Sequence, residues 1–385
     1  MGGGGGSDRD AKPHGDTLTI YSSLPRRGVS GAAAKAVAAG QRLALEDAGG
    51  RAGRFRLRLV ELDSTRTGEQ IWNPAQVSMN ADRASDDPTS IAYLGELDYG
   101  ATAVSLPSTN DDGLLQVSPE DGLTSLTRVP PGRAQEGPER YYPTHRRTFL
   151  RLTPSDLLQA EALLRLARGL GVRRPAVVSD EGIYGRELAA ALVARGRQDG
   201  PAPARTEELE GGPAAMADLV RDLREAGTDA VIFAGVAGPM TRPLLAALAR
   251  QIPQAPVLGS GGLAAIGGQP LRPAPERVEA LDPVLPAAAY PASSRALLRR
   301  IARREGSAAA QPDALYGYES MRLVIAAIKT GGGDRTAVVR AAFAPKERRS
   351  AIGRYRILPS GDTEPERFSL LRLRDGRFTP AGVVR

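Results

Sequence analysis

The stretch Ile91 to Pro119, IAYLGELDYGATAVSLPSTNDDGLLQVSP, constrains the fold most. A short apolar run, Ile91 to Leu94, stops at Gly95. A polar turn, Glu96-Leu97-Asp98-Tyr99-Gly100, follows. Then come residues compatible with a helix, a break at Gly113, and a second apolar run, Leu114 to Val117, closed by Ser118-Pro119. Strand, loop, helix and strand in this order predict the βαβ unit of a parallel sheet. In such sheets the ligand crevice lies beyond the carboxyl ends of the strands. Asp98-Tyr99-Gly100 and Ser118 to Gly122 are therefore the two crevice loops to watch.

The same alternation runs through the chain. Asp16 to Tyr21 reads as a strand emptying into a polar turn, Ser22-Ser23-Leu24-Pro25. Apolar residues at Ala34, Val37, Ala44, Leu45 and Ala48 have helical spacing, and Gly49-Gly50 supplies the stop. Phe55 to Asp63 reads as a strand. A loop through Trp72 leads to Asn73-Pro74, a cap followed by proline at the first helical position. Residues 119 to 148 are long and irregular, and loops of that length are functional or linking. Phe149 to Leu152 reads as a strand leaving the first lobe.

A second βα series opens at Thr153-Pro154-Ser155-Asp156. It carries strands at Ala176 to Ser179, Arg205 to Leu209, Ala230 to Phe233 and Pro256 to Leu258, the last running into Gly259-Ser260-Gly261-Gly262. After a Pro-rich crossing come helices over 293–304, 313–330 and 335–343. The tail changes to strands, Gly353 to Leu358 and Arg367 to Leu373, with Asp375-Gly376 as a hairpin turn. The expectation is an α/β chain of two Rossmann-like lobes with a small C-terminal β segment. A disordered leader spans 1–15, lobe 1 spans 16–148 plus 286–332, and lobe 2 spans 149–285 plus 333–385. A cleft between two such lobes suits a small ligand and hinge closure.

Composition removes several function classes. With no cysteine there is neither disulfide framework nor thiolate metal site. The two histidines, His14 and His145, are too few and too far apart for a zinc site, so no metal and no cofactor is expected. The net charge is +7, and all but four of the 51 basic residues are arginine. Those arginines are dispersed among acids, and aromatics are only 4%, so no nucleic-acid surface is expected. No apolar run reaches the length of a membrane span.

The motifs favour binding over chemistry. Gly259 to Ala264 fits G-x-G-x-x-A, but Gly267-Gly268 and Pro270 cut short the helix that a dinucleotide fingerprint needs, which leaves a tight ligand-side turn. No phosphate-binding loop, nucleophile elbow or metalloprotease motif is present. Asp86-Asp87 and Asp111-Asp112 read as solvated turn residues. With no catalytic constellation, the chain is expected not to be an enzyme; an α/β enzyme with a cleft site stays as a third reading. Tyr21, Trp72, Tyr99 and Tyr184 all fall at or after strand ends, where ring faces serve either a ligand or the core.

At this point a family resemblance is visible. SDEGIYGRELAAAL (Ser179 to Leu192) resembles the D-x-x-YG-x-x-L segment of type I periplasmic solute-binding proteins, the leucine/isoleucine/valine-binding-like receptors of ABC importers. IAYLGELDYGAT resembles their IGPxSSGxT loop, and GLLQVSPEDGLT their GIPxISPSATNPELT segment. TDAVIFAG, APVLGSGGL, LYGYESMRLVIAAIKTGG and SAIGRYRILPSGDTEPERFSLLRLRDGRF are similar to their later strands, long helix and C-terminal β segment.

The resemblance implies two lobes joined by three hinge crossings that close on a small ligand. It implies a membrane ABC permease as partner, action as a monomer, and an extracytoplasmic, lipid-anchored location, with signal peptide and anchoring cysteine not in this sequence. By position, Tyr99 falls where the family holds a ligand carboxylate with serine, Ser118 to Gly122 on the SPSAT loop, and Tyr184 on the binding tyrosine. The small residues of that loop become Glu120-Asp121-Gly122, Val236-Ala237 replaces a tyrosine, and Gly259 to Gly262 lacks the acid that meets an ammonium. The expected ligand contacts are Ser22, Ser23, Trp72, Asp98, Tyr99, Ser118, Glu120, Asp121, Tyr184, Val236 and Gly261. The ligand would be an amino acid or a similar small polar molecule, amine-bearing or aromatic. A ligand-sensing receptor domain of the same fold is the alternative.

Overall fold

Strand β1 (Thr17–Leu24) is buried from Leu18 to its end, because it runs through the middle of a sheet covered on both faces. The computed structural model describes residues 15–265, 270–364 and 367–385. The leader expected over 1–15 falls outside them apart from Gly15, as do His14 and Gly267-Gly268. Around β1 stand β2 (Arg51–Ala52), β3 (Phe55–Asp63), β4 (Ser90–Leu94), β5 (Leu115–Ser118) and β6 (Phe149–Arg151), in the order β2-β3-β1-β4-β5-β6. Only β2 pairs antiparallel; the rest are parallel. Parallel neighbours need crossovers, and α1 (Gly31–Asp47), α2 (Pro74–Asp86) and α3 (Thr102–Asp111) supply them. Asn73 caps α2 as expected, its side chain accepting the Gln76 N–H at 3.0 Å, with Pro74 next.

The second sheet begins with β7 (Pro175–Ser179), β8 (Arg205–Glu208), β9 (Ala230–Ala234), β10 (Val257–Ser260) and β11 (Val278–Asp282), all parallel. Its helices are α4 (Asp156–Gly169), α5 (Ile183–Asp199), α6 (Pro213–Glu225), α7 (Thr241–Gln251) and the short α8 (Gly261–Ala264). Val231, Phe233, Leu244, Leu248 and Val257 lie in one buried apolar cluster of this sheet and its helices.

The chain then returns to the first sheet with α9 (Ala292–Glu305), α10 (Asp313–Gly331) and α11 (Arg335–Ala342), followed by a small sheet of β12 (Arg348–Ser350), β13 (Gly353–Ile357) and β14 (Thr363–Glu364). α10 crosses α1 at contact distance. A Cβ on Gly40 would sit 2.0 Å from the Ala314 carbonyl oxygen, and one on Gly317 would sit 2.0 Å from that of Val37. The hairpin β15 (Phe368–Arg374) and β16 (Arg377–Val384) completes the second sheet, order β16-β15-β11-β10-β9-β7-β8. Its turn is the expected Asp375-Gly376, with φ of 51° and 78°, the left-handed pair that matches strand twist.

The chain divides into two compact units. The first takes in the chain to Asp121, Pro138–Thr153 and Tyr290–Glu364; the second takes in Gly122–Gly137, Pro154–Ala289 and Pro365–Arg385. These boundaries differ from those read in the sequence. Residues 122–137 and 286–289, assigned above to lobe 1, fall in the second unit. Residues 149–153 and 333–364, assigned above to lobe 2, fall in the first unit. The reason is side-chain to backbone bonding: Arg335 donates to the carbonyls of Ser90 at 3.0 Å and Asp112 at 2.9 Å, and β6 pairs with β5.

Candidate functional site

In the first unit the carboxyl ends of β1, β4 and β5 carry Ser22, Ser23, Asp98, Tyr99, Ser118, Glu120 and Asp121 of the nominated residues. Ser22 and Ser23, read as a polar turn, are instead the last turn-free part of β1, facing Leu94 or Glu61 and Leu62 across the sheet. The strand continues through them because both hydroxyls are satisfied inside. Ser22 donates to Gln41 Oε1 at 2.7 Å. Ser23 donates to Glu96 Oε2 at 2.8 Å and accepts from Asn80 Nδ2 at 3.0 Å.

Glu96 was not among the nominated residues, and it is the hub. Its carboxylate is buried and also accepts the Tyr93 hydroxyl at 2.6 Å. Burial pushes its pKa up to about 8, Asp98 and Asp121 add to the rise, and the two hydroxyl donors oppose it. Asp98 is buried as well. Burial raises its pKa to about 6 with help from Asp121, while Ser30 works against the rise. Among the described residues its Oδ2 has no hydrogen-bond partner.

Asp121, fully buried, accepts the N–H of Thr102 at 3.0 Å and of Gly100 at 3.3 Å. It is held at both ends. Its own N–H goes to Ser118 Oγ at 2.8 Å, and Arg151 donates to its carbonyl at 3.1 Å. Ser118 in turn donates to the Glu96 carbonyl at 2.6 Å and accepts the Glu120 N–H. Glu120 and Tyr99 are half-buried.

The aromatic set divides. Tyr21 is core: it packs with Leu62, Ala84, Tyr93 and Leu114 and donates to Asp87 Oδ2 at 2.9 Å. It lies inside β1 rather than at its end, which removes it from the ligand-facing set. Trp72 is half-buried in the loop after β3. Beside Ser22 a crevice of about 260 Å³ is lined by Leu24, Arg26, Lys35, Arg42 and Glu61. Arg42 is already paired with Glu61 at 2.5 Å and with Glu305.

In the second unit Asp180 ties the strand-end loops together. It was missed, although an Asp followed by Gly two positions on, at a strand end, is the usual Asx-turn signal. Its carboxylate accepts the N–H of Val236 at 2.7 Å and of Gly182 at 3.1 Å, and burial raises its pKa. Gly235, with φ 152°, leaves room for it; a Cβ there would lie 2.5 Å from the carboxylate. Val236 is half-buried. Gly261 is buried at the start of α8, so the stretch expected as a tight turn is a strand end running into a short helix. Ser260 Oγ bonds the Gly235 carbonyl at 3.2 Å, and the Ala237 N–H bonds that of Gly262 at 2.9 Å. Tyr184 is buried on α5, its hydroxyl donating to Gln159 Oε1 at 3.0 Å while Gln159 Nε2 donates to the Leu281 carbonyl.

Among the described residues no three His, Cys, Asp or Glu are grouped to hold a metal ion, and no helix is long and apolar enough to cross a membrane. Each unit by itself offers strand-end carboxylates and backbone groups, of a kind that can hold a small molecule by hydrogen bonds and charge.

Solved structures share this fold over nearly the whole chain. A solute-binding protein of an ABC transporter from R. palustris, in complex with benzoate, is 16% identical with TM-score 0.72, covering 95% of this chain and 96% of that one. An ABC transporter substrate-binding protein from Desulfitobacterium hafniense, in complex with Leu, is 17% identical with TM-score 0.73, covering 95% and 100%. A leucine-binding protein from Thermotoga maritima is 19% identical with TM-score 0.73, covering 95% and 98%. At such identities the likeness is one of fold. No curated protein matches the sequence. The profile of the periplasmic binding proteins, a family of binders and not of enzymes, matches residues 17–367, so the chain belongs to the periplasmic binding protein family.

Proposed function

We propose that this chain is the extracytoplasmic solute-binding protein of an ABC importer, delivering a small polar molecule to a membrane permease. The observation that carries this reading is the set of strand-end loops in each unit. They are tied from within and present polar groups at the carboxyl ends of parallel strands, in a chain of the periplasmic binding protein family. In this reading Asp98, Tyr99 and Glu120 of the first unit contact the ligand, together with Trp72. Val236 and Gly261 serve from the second. Ser22, Ser23, Ser118, Asp121 and Tyr184 act by holding the frame of their own unit, since their side chains already have partners within it. Amino-acid-like, amine-bearing and aromatic molecules are the classes to try. A thermal-shift screen with amino acids, amines, aromatic acids and sugars tests the reading. A true ligand at 100 times its Kd stabilises by about 2.7 kcal/mol. A chain whose midpoint moves only with nucleotides or metal ions is not a solute-binding protein of this kind.

A further inference from the structure

Resting on that reading, we propose that the ligand carries a protonated amine that docks on Asp98, and that the first unit refuses a ligand carboxylate because Asp121 already closes the amino end of α3. A helix start offers free N–H groups and a positive dipole end, a ready subsite for an anion. On α3, ten residues long, that subsite is taken by the protein itself. The Gly100 and Thr102 N–H groups go to Asp121, the Ala101 N–H goes to the Asp98 carbonyl at 3.1 Å, and the Ala103 N–H goes to that of Gly100 at 3.2 Å. Asp121 is no swinging gate, for Ser118 holds its N–H and Arg151 its carbonyl.

An incoming carboxylate would meet the carboxylates of Asp98 and Asp121, and the N–H groups just named are already engaged. The neighbours described above hold leucine and benzoate, both of which carry a carboxylate. Asp98 supplies the opposite preference. It is only 6% exposed, its Oδ2 lacks a partner among the described residues, and besides burial the groups that shift its ionisation are Ser30 and Asp121. A buried carboxylate oxygen left without a donor is costly, and an ammonium N–H supplies the missing bond. With its pKa near 6, Asp98 is ionised at neutral pH, whereas Glu96, near 8, holds its proton.

The test is isothermal titration of the full chain at pH 7.4 with putrescine, tyramine, leucine, benzoate and glucose. One of the two amines is expected to bind, and leucine and benzoate to bind at least about 100-fold more weakly. Asp98→Asn should weaken the amine by about 100-fold, the loss of a charge-assisted bond in a buried site. It should do so without lowering the thermal midpoint of the ligand-free chain. Asp121→Ser, which frees two α3 donors, should gain carboxylate binding; circular dichroism checks that it folds. Leucine or benzoate binding as tightly as the amines, glucose alone binding, or Asp98→Asn leaving amine affinity unchanged would overturn this inference and leave the solute-binding function standing. Silence of all five probes, with response only to nucleotides or metal ions in the wider screen, would remove both.

Discussion

Arg151 and Asp362 meet at 3.0 Å in the interior of the first unit, 211 residues apart in the chain, with the arginine side chain wholly shielded from water. The turn that carries Asp362 docks directly on β6. The Arg151 N–H donates to the Gly361 carbonyl at 3.0 Å, and a Cβ on Gly361 would lie 2.2 Å from the Phe149 carbonyl oxygen. The same guanidinium reaches the Asp121 carbonyl, so the ion pair also sets the backbone behind the α3 cap.

Breaking this pair from one side leaves a buried charge without its counterion. Asp362→Leu, like Arg151→Leu, is expected to cost about 3–5 kcal/mol of stability. The double replacement Arg151→Leu with Asp362→Leu should cost far less than the sum of the singles, since it removes both charges. Urea unfolding of the four members of the cycle measures the difference, and additive losses would contradict it.

The α1–α10 crossing gives a second prediction. Gly40→Ala or Gly317→Ala places a methyl 2.0 Å from a carbonyl oxygen of the facing helix. Either should destabilise by at least about 2 kcal/mol, the cost of an overpacked contact that must push backbones apart. Gly169→Ala, whose Cβ at the end of α4 meets nothing within 4 Å, is the control and should be neutral or stabilising.

The pH dependence follows from Glu96. Its folded pKa is raised, from 4.5 to about 8, so between these values the native chain holds a proton that the unfolded chain releases. Stability therefore falls as pH rises through that window, by roughly a few kcal/mol in total, and is level above it. Glu96→Gln keeps an acceptor for one hydroxyl and should flatten the slope and be the more stable form at pH 8.5. Chemical denaturation at pH 5, 7 and 8.5 reads this out; a wild-type curve that rises from pH 5 to 8.5 would refute it.

Asp98 should show the opposing demands of binding and stability. Its carboxylate is buried with one oxygen unpartnered, and its pKa is raised. Asp98→Asn removes the charge and should raise the melting temperature of the ligand-free chain at neutral pH, by a degree or more, on the usual cost of burying an unpaired charge. Calorimetry of the two forms without ligand decides it.

Much of the architecture was legible in the residues. Apolar runs stopped by Gly or Pro became the central strands, Asn73-Pro74 became the start of α2, and Asp375-Gly376 became the hairpin turn. These signals are local, so a single chain displays them. Ser22-Ser23 misled because polar residues before a proline resemble a turn. What keeps them in β1 is Gln41 and Glu96, 19 and 73 residues away. Tyr21 misled for the same reason, its partner Asp87 lying 66 residues on. Asp98, Tyr99, Ser118 and Asp121 could be nominated because they follow strands. That Asp121 is spent on α3, and that Glu96 joins two strand ends, depends on pairings no periodicity carries.

The interleaved division of the chain has a consequence for its birth. The first unit draws on Tyr290–Glu364, and the second on the hairpin after it. Until Asp313–Gly331 is made, α1 lacks the α10 helix it crosses, and until Phe368–Arg374 is made, β11 lacks its antiparallel neighbour β15. The α1–α10 crossing and the β11–β15 pairing are therefore contacts that the order of synthesis makes late.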